Sequence, residues 1–185
     1  QIGEEIIKSF CNAHPEFKSV SLRYFNPAGA HSSALIGEEV TERPNNLVPL
    51  ITQTAVGIRE KLTVFGKDYN TKDGTCIRDY IHVSDIANAH VKAINFLEES
   101  QENYSVINLG SGEGTTVMEI LNTFERISEQ KLNYEIGDRR AGDVEAIYAN
   151  NSLAKRALGW EAKYTLDDII DSAWNWQKNV SSFQA

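Results

Sequence analysis

The sequence predicts an α/β fold. Three observations predict it: apolar patterns of helical and strand period alternate along the chain, turn-forming residues separate them, and the strand-like runs are short and rich in β-branched and aromatic residues. The 185 residues suit one domain of ordinary size or a domain with a small annex, and a hydrophobic content of 41% is enough for a core.

The elements follow in order. Ile2, Ile6, Ile7 and Phe10 recur at helical spacing, and the helix is expected to stop near His14-Pro15, because a residue before proline is pushed out of the helical region. Gln1 already belongs to this pattern and no capping residue precedes it, so the chain is expected to continue a longer one. Lys18 to Tyr24 alternates as a strand, with Val20, Leu22 and Tyr24 on one face. Phe25 to Asn45 reads as a long loop, and loops of that length are commonly functional. Leu47 to Glu60 reads as a helix with Pro49 in its first turn.

Leu62-Thr63-Val64-Phe65 is a short strand closed by Gly66, and Asp73-Gly74 is the turn signal of the polar loop Lys67 to Thr75. Ser84 is the expected N-cap of a helix to about Leu97, with Ile86, Ala89, Ala93, Ile94 and Leu97 on its apolar face. Val106 to Leu109 is a strand. Thr116-Val117-Met118-Glu119 fits a capping box opening a helix to about Glu129, with Ile120, Leu121, Phe124 and Ile127 inward. Leu132 to Ile136 and Ala146 to Ala149 read as short strands, Leu153 to Leu158 as a short helix ended by Gly159, and Thr165 as the cap of a last helix carrying Trp174 and Trp176.

Composition narrows the functions. A formal net charge of -8 and a pI near 5.0 leave no basic stripe for a nucleic acid. A mean hydropathy of -0.38 and the lack of a long apolar run argue against a membrane span, and no secretion leader is expected. Cys11 and Cys76 are too far apart for a metal spacing or a disulfide framework; they read as idle thiols in a reducing cytosol, so a cytoplasmic location is expected. His14, His31, His82 and His90 form no ligand pair, and no metal site is expected.

Six segments could hold chemistry. Arg78 offers a planar fork of donors that matches a phosphate, although Asp79 beside it could simply be its surface partner. In Arg139-Arg140-Ala141-Gly142-Asp143, adjacent guanidiniums repel and would be eased by an anion; the plain alternative is a solvated charged loop. Tyr24-Phe25-Asn26-Pro27 lies where a strand meets a loop, the usual ligand crevice of an α/β sheet, while Asn26 could merely form a turn before Pro27. Asn45-Asn46-Leu47 could cap a helix or place its N-terminus near a phosphate. Thr63-Val64-Phe65 could present the backbone amides of an exposed strand beside an aromatic side chain, or be an edge strand with Phe65 in the core. Gly110-Ser111-Gly112-Glu113-Gly114 lacks the spacing of a dinucleotide loop, and Glu113 would repel a pyrophosphate; it reads as a tight strand-to-helix turn.

Taken together, Arg23-Tyr24-Phe25-Asn26-Pro27-Ala28-Gly29-Ala30-His31, Pro44-Asn45-Asn46-Leu47, the stretch Phe65-Gly66-Lys67-Asp68-Tyr69 through Asp73-Gly74-Thr75, and Arg78-Asp79-Tyr80-Ile81-His82-Val83 resemble the UDP-galactose 4-epimerases of the extended short-chain dehydrogenase/reductase family. The resemblance spans nearly the whole chain and corresponds to the C-terminal, substrate-binding part. It implies a Rossmann-type fold with a smaller α/β substrate domain, residues 1–25 and about 78–110 contributing to the Rossmann sheet and its helices. It implies that Tyr24 and Phe25 flank the nicotinamide of NAD. Asn26, Asn46, Leu47, Thr63, Val64, Phe65, Arg78 and Arg140 would hold the UDP-hexose, with Asp143 near a ribose or hydroxyl and Ile147 beside the sugar.

The family's Tyr-x-x-x-Lys pair, assisting serine and glycine-rich NAD loop have no counterpart in these residues. The resemblance therefore implies no catalytic residue here. The complete protein would be a homodimer that removes a hydride from C4 of the hexose and returns it to the other face, and this chain alone would be inactive. A non-catalytic nucleotide-sugar module, half of a split enzyme, and a UDP-sugar decarboxylase or dehydratase stay open. The apolar faces of the helices near Ile2 and Ser84, and some strand edges, are expected to be bare.

Overall fold

The computed structural model describes residues 1–39, 44 and 46–183. In chain order these form α1 (Ile2–Ala13), β1 (Ser19–Tyr24), β2 (Asn26–Ala28), α2 (Leu47–Ala55), β3 (Leu62–Phe65), β4 (Ile77–Arg78), β5 (Tyr80–His82), α3 (Val83–Glu99), β6 (Tyr104–Leu109), β7 (Thr115–Thr116), α4 (Val117–Ser128), β8 (Tyr134–Gly137), β9 (Ala146–Ile147), α5 (Ser152–Leu158) and α6 (Leu166–Phe183).

Parallel pairing dominates, as the alternation of strands and helices requires. β1 lies parallel to β6, with Ser19 opposite Tyr104 and Tyr24 opposite Leu109. β2 pairs parallel with β5, and β3 with β8. β4 sits between an antiparallel β7 and a parallel β9. α3 precedes β6 as a crossover helix and packs on β1. Two apolar clusters result. One gathers Ile81, Ile86, Ala89, Ile107, Leu109 and Trp160 under β1, β6 and α3. The other joins α2, α4 and α6 through Ile51, Ile120, Leu121, Phe124, Ile169 and Trp174, and reaches β3 through Leu62 and Val64.

Most local expectations hold for identifiable reasons. The Thr116–Glu119 capping box is complete, each residue's side chain accepting from the other's backbone N–H. Gly159 ends α5 in the left-handed region, and Thr165 with Asp168 forms a reciprocal cap before α6. Gly74 has φ +81°, and a Cβ there would lie 2.1 Å from the Lys67 carbonyl oxygen, so the loop from Lys67 can close only on glycine.

Four expectations are corrected. The long segment from Phe25 is not all loop: Asn26–Ala28 finds β5 and becomes a strand, a pairing that local composition cannot reveal. α2 ends at Ala55 rather than Glu60, its last turn tightening through the Gly57 N–H to the Thr54 carbonyl. The N-cap of α3 is His82, whose Nδ1 accepts the Ser84 N–H at 3.0 Å, so Ser84 sits inside the first turn. Ile94 points outward; Ile86, Ala89 and Ala93 are the buried apolar residues of α3, and Phe96 packs beside them.

Candidate functional site

Cys76, Arg78 and Tyr80 alternate along an extended run, so their side chains share one face. That face forms one wall of a cavity. The cavity is also lined by Asn26, Asn46, Leu47, Leu50, Thr63, Val64, Phe65, Val117, Arg140 and Asp143. Nine of the expected site residues thus meet around one space, although they come from segments scattered over the chain.

The two guanidiniums converge. Arg78 Nη1 donates to the Ile77 and Val144 carbonyls at 2.8 and 2.9 Å, which pins the group in place. Its Nη2 lies 3.3 Å from Asp143 Oδ1, and Arg140 Nη2 reaches the same oxygen at 3.5 Å. The Arg78 and Asp143 side chains are only 16% exposed. Arg140 also lies over the Phe65 ring, its Cζ 5.7 Å from the centroid. The arginine pair divides its labour: Arg139 turns away to Asp68 and stacks on Tyr69, and it does not line the cavity.

Asp79 is not the surface partner of Arg78. Neighbouring residues on extended backbone face opposite ways, and Asp79 is fully buried on the far side. Its carboxylate accepts from Ser111 N at 2.9 Å, Ser111 Oγ at 2.7 Å, Gly112 N at 3.2 Å and Ala149 N at 3.0 Å. Gly110 has no room for a side chain, since a Cβ would lie 2.4 Å from Asp79 Oδ2. The Gly110 to Gly114 segment is therefore a turn, as expected, and it wraps a carboxylate of its own chain.

The remaining candidates divide. The Asn26 N–H joins the Asp79 carbonyl at the start of β2, which replaces the Asx turn considered above, and its side chain faces the cavity. Asn46 occupies the N-cap of α2, but its side chain makes no cap and its Nδ2 donates to Glu38 at 3.2 Å. Asn45 lies outside the described residues. Among the described residues β3 pairs with β8 alone, and its residues Thr63 to Phe65 border the cavity. Val64 is buried, whereas Phe65 is 41% exposed and not in the core. Tyr24, Phe25 and Ile147 are not brought into the cavity. Tyr24 stands half exposed at the end of β1, with its ring 6.5 Å from that of His90. Ile147 pairs with Arg78 across β4 and β9 and faces outward.

Cys76, Tyr80, Leu50 and Val117 were missed by sequence reasoning. Alternation about Arg78 is the signal that could have found the first two. Burial pushes the Tyr80 phenol far above its ordinary range and raises the Cys76 thiol, so both stay neutral at working pH.

A cavity with two fixed cations, one carboxylate, two amides and an aromatic edge suits an anionic, hydroxyl-bearing ligand. The model of the GDP-mannose 4,6 dehydratase family matches residues 1–173. The chain belongs to this family. Within it, the chain is 48% identical over 183 residues to the bifunctional UDP-glucose 4-epimerase and UDP-xylose 4-epimerase 3 of Arabidopsis thaliana, covering 98% of this chain and 52% of the relative. It is 48% identical over 181 residues to the UDP-glucose 4-epimerase of Homo sapiens, covering 97% and 52%. The chain spans about half the length of the curated relatives it matches.

Solved structures agree. A UDP-glucose-4-epimerase from Stenotrophomonas maltophila, with bound NAD and formylated UDP-arabinopyranose, superposes with a TM-score of 0.95 at 42% identity, over 98% of this chain and 54% of that one. The enzyme from Bifidobacterium longum, in complex with NAD+ and UDP, gives 0.89 at 43%, over 95% and 52%. The fold of this family member is the Rossmann-type α/β fold of the extended short-chain dehydrogenases/reductases. A dinucleotide needs a cradle of free backbone amides. Among the described residues, the glycine turn that could supply one gives its Ser111 and Gly112 amides to Asp79 and its Glu113 amide to Ser111 Oγ, so the residues present do not by themselves fit NAD.

Proposed function

We propose that this chain is the substrate-binding, C-terminal part of a UDP-glucose/UDP-galactose 4-epimerase. The observation that carries the reading is the meeting of Arg78 and Arg140 with Asn26, Asn46 and the Thr63–Phe65 strand in one cavity. Two convergent guanidiniums suit a diphosphate better than a single phosphate or a neutral sugar. Phe65 with Arg140 above it gives a wall for a base, and Asp143 gives an acceptor for a ribose hydroxyl. The UDP held by the Bifidobacterium longum relative, and the UDP-sugar held by the Stenotrophomonas one, support the choice of ligand.

In this reading the chain binds and orients the sugar nucleotide, and NAD and the proton chemistry belong to the rest of the protein. Residues 1–25 and about 78–110, which hold the parallel β1/β6 unit and α3, would be this chain's share of the Rossmann sheet. Tyr24 and Phe25 would flank the nicotinamide and Ile147 the hexose once the other half is in place. The homodimer and the cytoplasmic location of the whole protein belong to the same proposal. A dehydratase is the second reading, favoured by the description of the family model.

Titration calorimetry tests the reading. The 185-residue chain should bind UDP, and Arg78→Ala should weaken that binding by about a hundredfold. No heat at millimolar UDP would overturn it. The chain alone should not turn over UDP-galactose. Adding the separately expressed N-terminal half of a relative should restore turnover, and the product, an epimer or a 4-keto-6-deoxy sugar, decides between the two readings.

A further inference from the structure

The two cavity guanidiniums are held by different means. Arg78 is fixed through its own side chain, which donates to the Ile77 and Val144 carbonyls. The Arg140 side chain is exposed and its contacts are long, 3.5 Å to Asp143 and 5.7 Å from Cζ to the Phe65 centroid. Its place is therefore set by the backbone that carries it, residues 138–145. Both ends of that segment are tied to the loop 67–75. At the first end, Arg139 Nε donates to Asp68 Oδ1 at 2.7 Å and Nη2 to the Asp68 carbonyl at 2.6 Å, and the guanidinium lies 4.0 Å over the buried Tyr69 ring. At the second, Glu145 Oε2 accepts the Asn70 N–H at 3.0 Å, and the Glu145 carbonyl accepts the Ile77 N–H at 2.8 Å. A Cβ on Gly66 would lie 2.6 Å from the Tyr69 ring and 3.0 Å from Arg139 Cγ, so this stack rests directly against the chain leaving Phe65.

We propose that Arg139 is a positioning residue of the ligand site: its clasp on Asp68 and Tyr69 aims Arg140 into the cavity, although Arg139 itself does not line it. This rests on the nucleotide-sugar reading above. An exposed ion pair alone contributes little. Here one planar fork makes two bonds to Asp68 and also stacks on an aromatic face, which fixes direction as well as distance. Arg139 faces the loop and Arg140 the cavity, so anchoring the first directs the second. Without the clasp, the segment would have to be ordered at the moment of binding, and affinity would fall by that cost.

The test is a double-mutant cycle read by calorimetric titration with UDP at fixed ionic strength, using the full chain, Arg139→Ala, Arg140→Ala and the two changes together. Arg139→Ala should weaken UDP binding by about fivefold in the unaltered chain and by less than about twofold where Arg140 is already alanine, because the residue it acts through is gone. An equal loss in both backgrounds, or no loss in either, overturns the proposal, whatever happens to the melting temperatures. Asp68→Ala opens the clasp from its other side and should repeat both results; it decides if Arg139→Ala does not fold by circular dichroism. If neither variant folds, the clasp is structural and the proposal fails. Absence of UDP binding by the unaltered chain is a different result, which refutes the nucleotide-sugar reading and this proposal with it.

Discussion

α4 and α1 are both 12 residues long and both amphipathic, yet they end in opposite situations. The stripe of α4, Ile120, Leu121 and Phe124, is almost completely buried, with Phe124 edge-on to Trp174 of α6 at 5.3 Å. The stripe of α1 is open: Ile2 is 80% exposed, Ile6 65% and Phe10 48%, and Cys11 is the residue this helix buries. Polar contacts fasten α1 instead, Glu4 to Arg23 of β1 and Asn103 to the Cys11 carbonyl. Val91 and Ile94 on α3 are similarly exposed. An apolar stripe states that a face would gain from cover, roughly 25 cal/mol per Å². It does not state that the cover is in the same chain. The cavity stands on the covered side, against the cluster of α2 and α4, whereas Tyr24, on the open side, stays half exposed with His90 as its ring neighbour.

Paired truncations would break or sharpen this contrast. Phe124→Ala should cost about 3–5 kcal/mol in urea unfolding, because it opens a cavity in a fully packed core. Phe10→Ala should change stability by less than about 0.5 kcal/mol. Equal losses would show that the α1 face is covered in solution. A smaller effect is expected from Asp79→Asn, at about 2–3 kcal/mol by the same measurement, since the amide would present N–H groups to donors that now meet a carboxylate. A loss below about 0.5 kcal/mol would mean that the glycine turn holds its shape without the charge.

The smallest effect concerns His82, where α3 meets α6. Its Nδ1 accepts from Ser84, its Nε2 meets Ser172 Oγ at 3.1 Å, and its ring stacks on Tyr164. Burial holds its pKa below the ordinary 6.5, partly offset by Asp85 and Asp168, while His31 adds to the lowering. The folded state therefore binds fewer protons than the unfolded one in that window. The stabilisation is complete above about pH 6.5 and declines as the pH falls towards the folded pKa. His82→Asn keeps an acceptor for the Ser84 N–H, and its urea midpoint should fall less than that of the unaltered chain between about pH 7 and 5.5. Parallel pH curves for the two would rule out His82 as the source.

Much of this was legible along the chain, and the exceptions have a common cause. The Thr116–Glu119 box, the stop at Gly159 and the alternation of Val20 and Leu22 are local, and neighbours a few residues away decide them. β2 was hidden because a three-residue strand exists only through its distant partner β5. Asp79 looked like a surface ion pair because its partners at Ser111, Gly112 and Ala149 are far away in sequence.

By itself, then, the sequence determined the α/β class, the caps and turns, and which residue types could grip a diphosphate, since propensity, capping and donor chemistry are properties of short stretches. Only the tertiary structure decided that Arg78 and Arg140 share one carboxylate, that Arg139 belongs to Tyr69, and that one amphipathic helix is sheathed while another is bare. Those outcomes depend on contacts between segments distant along the chain, and such contacts are set by packing and long-range pairing.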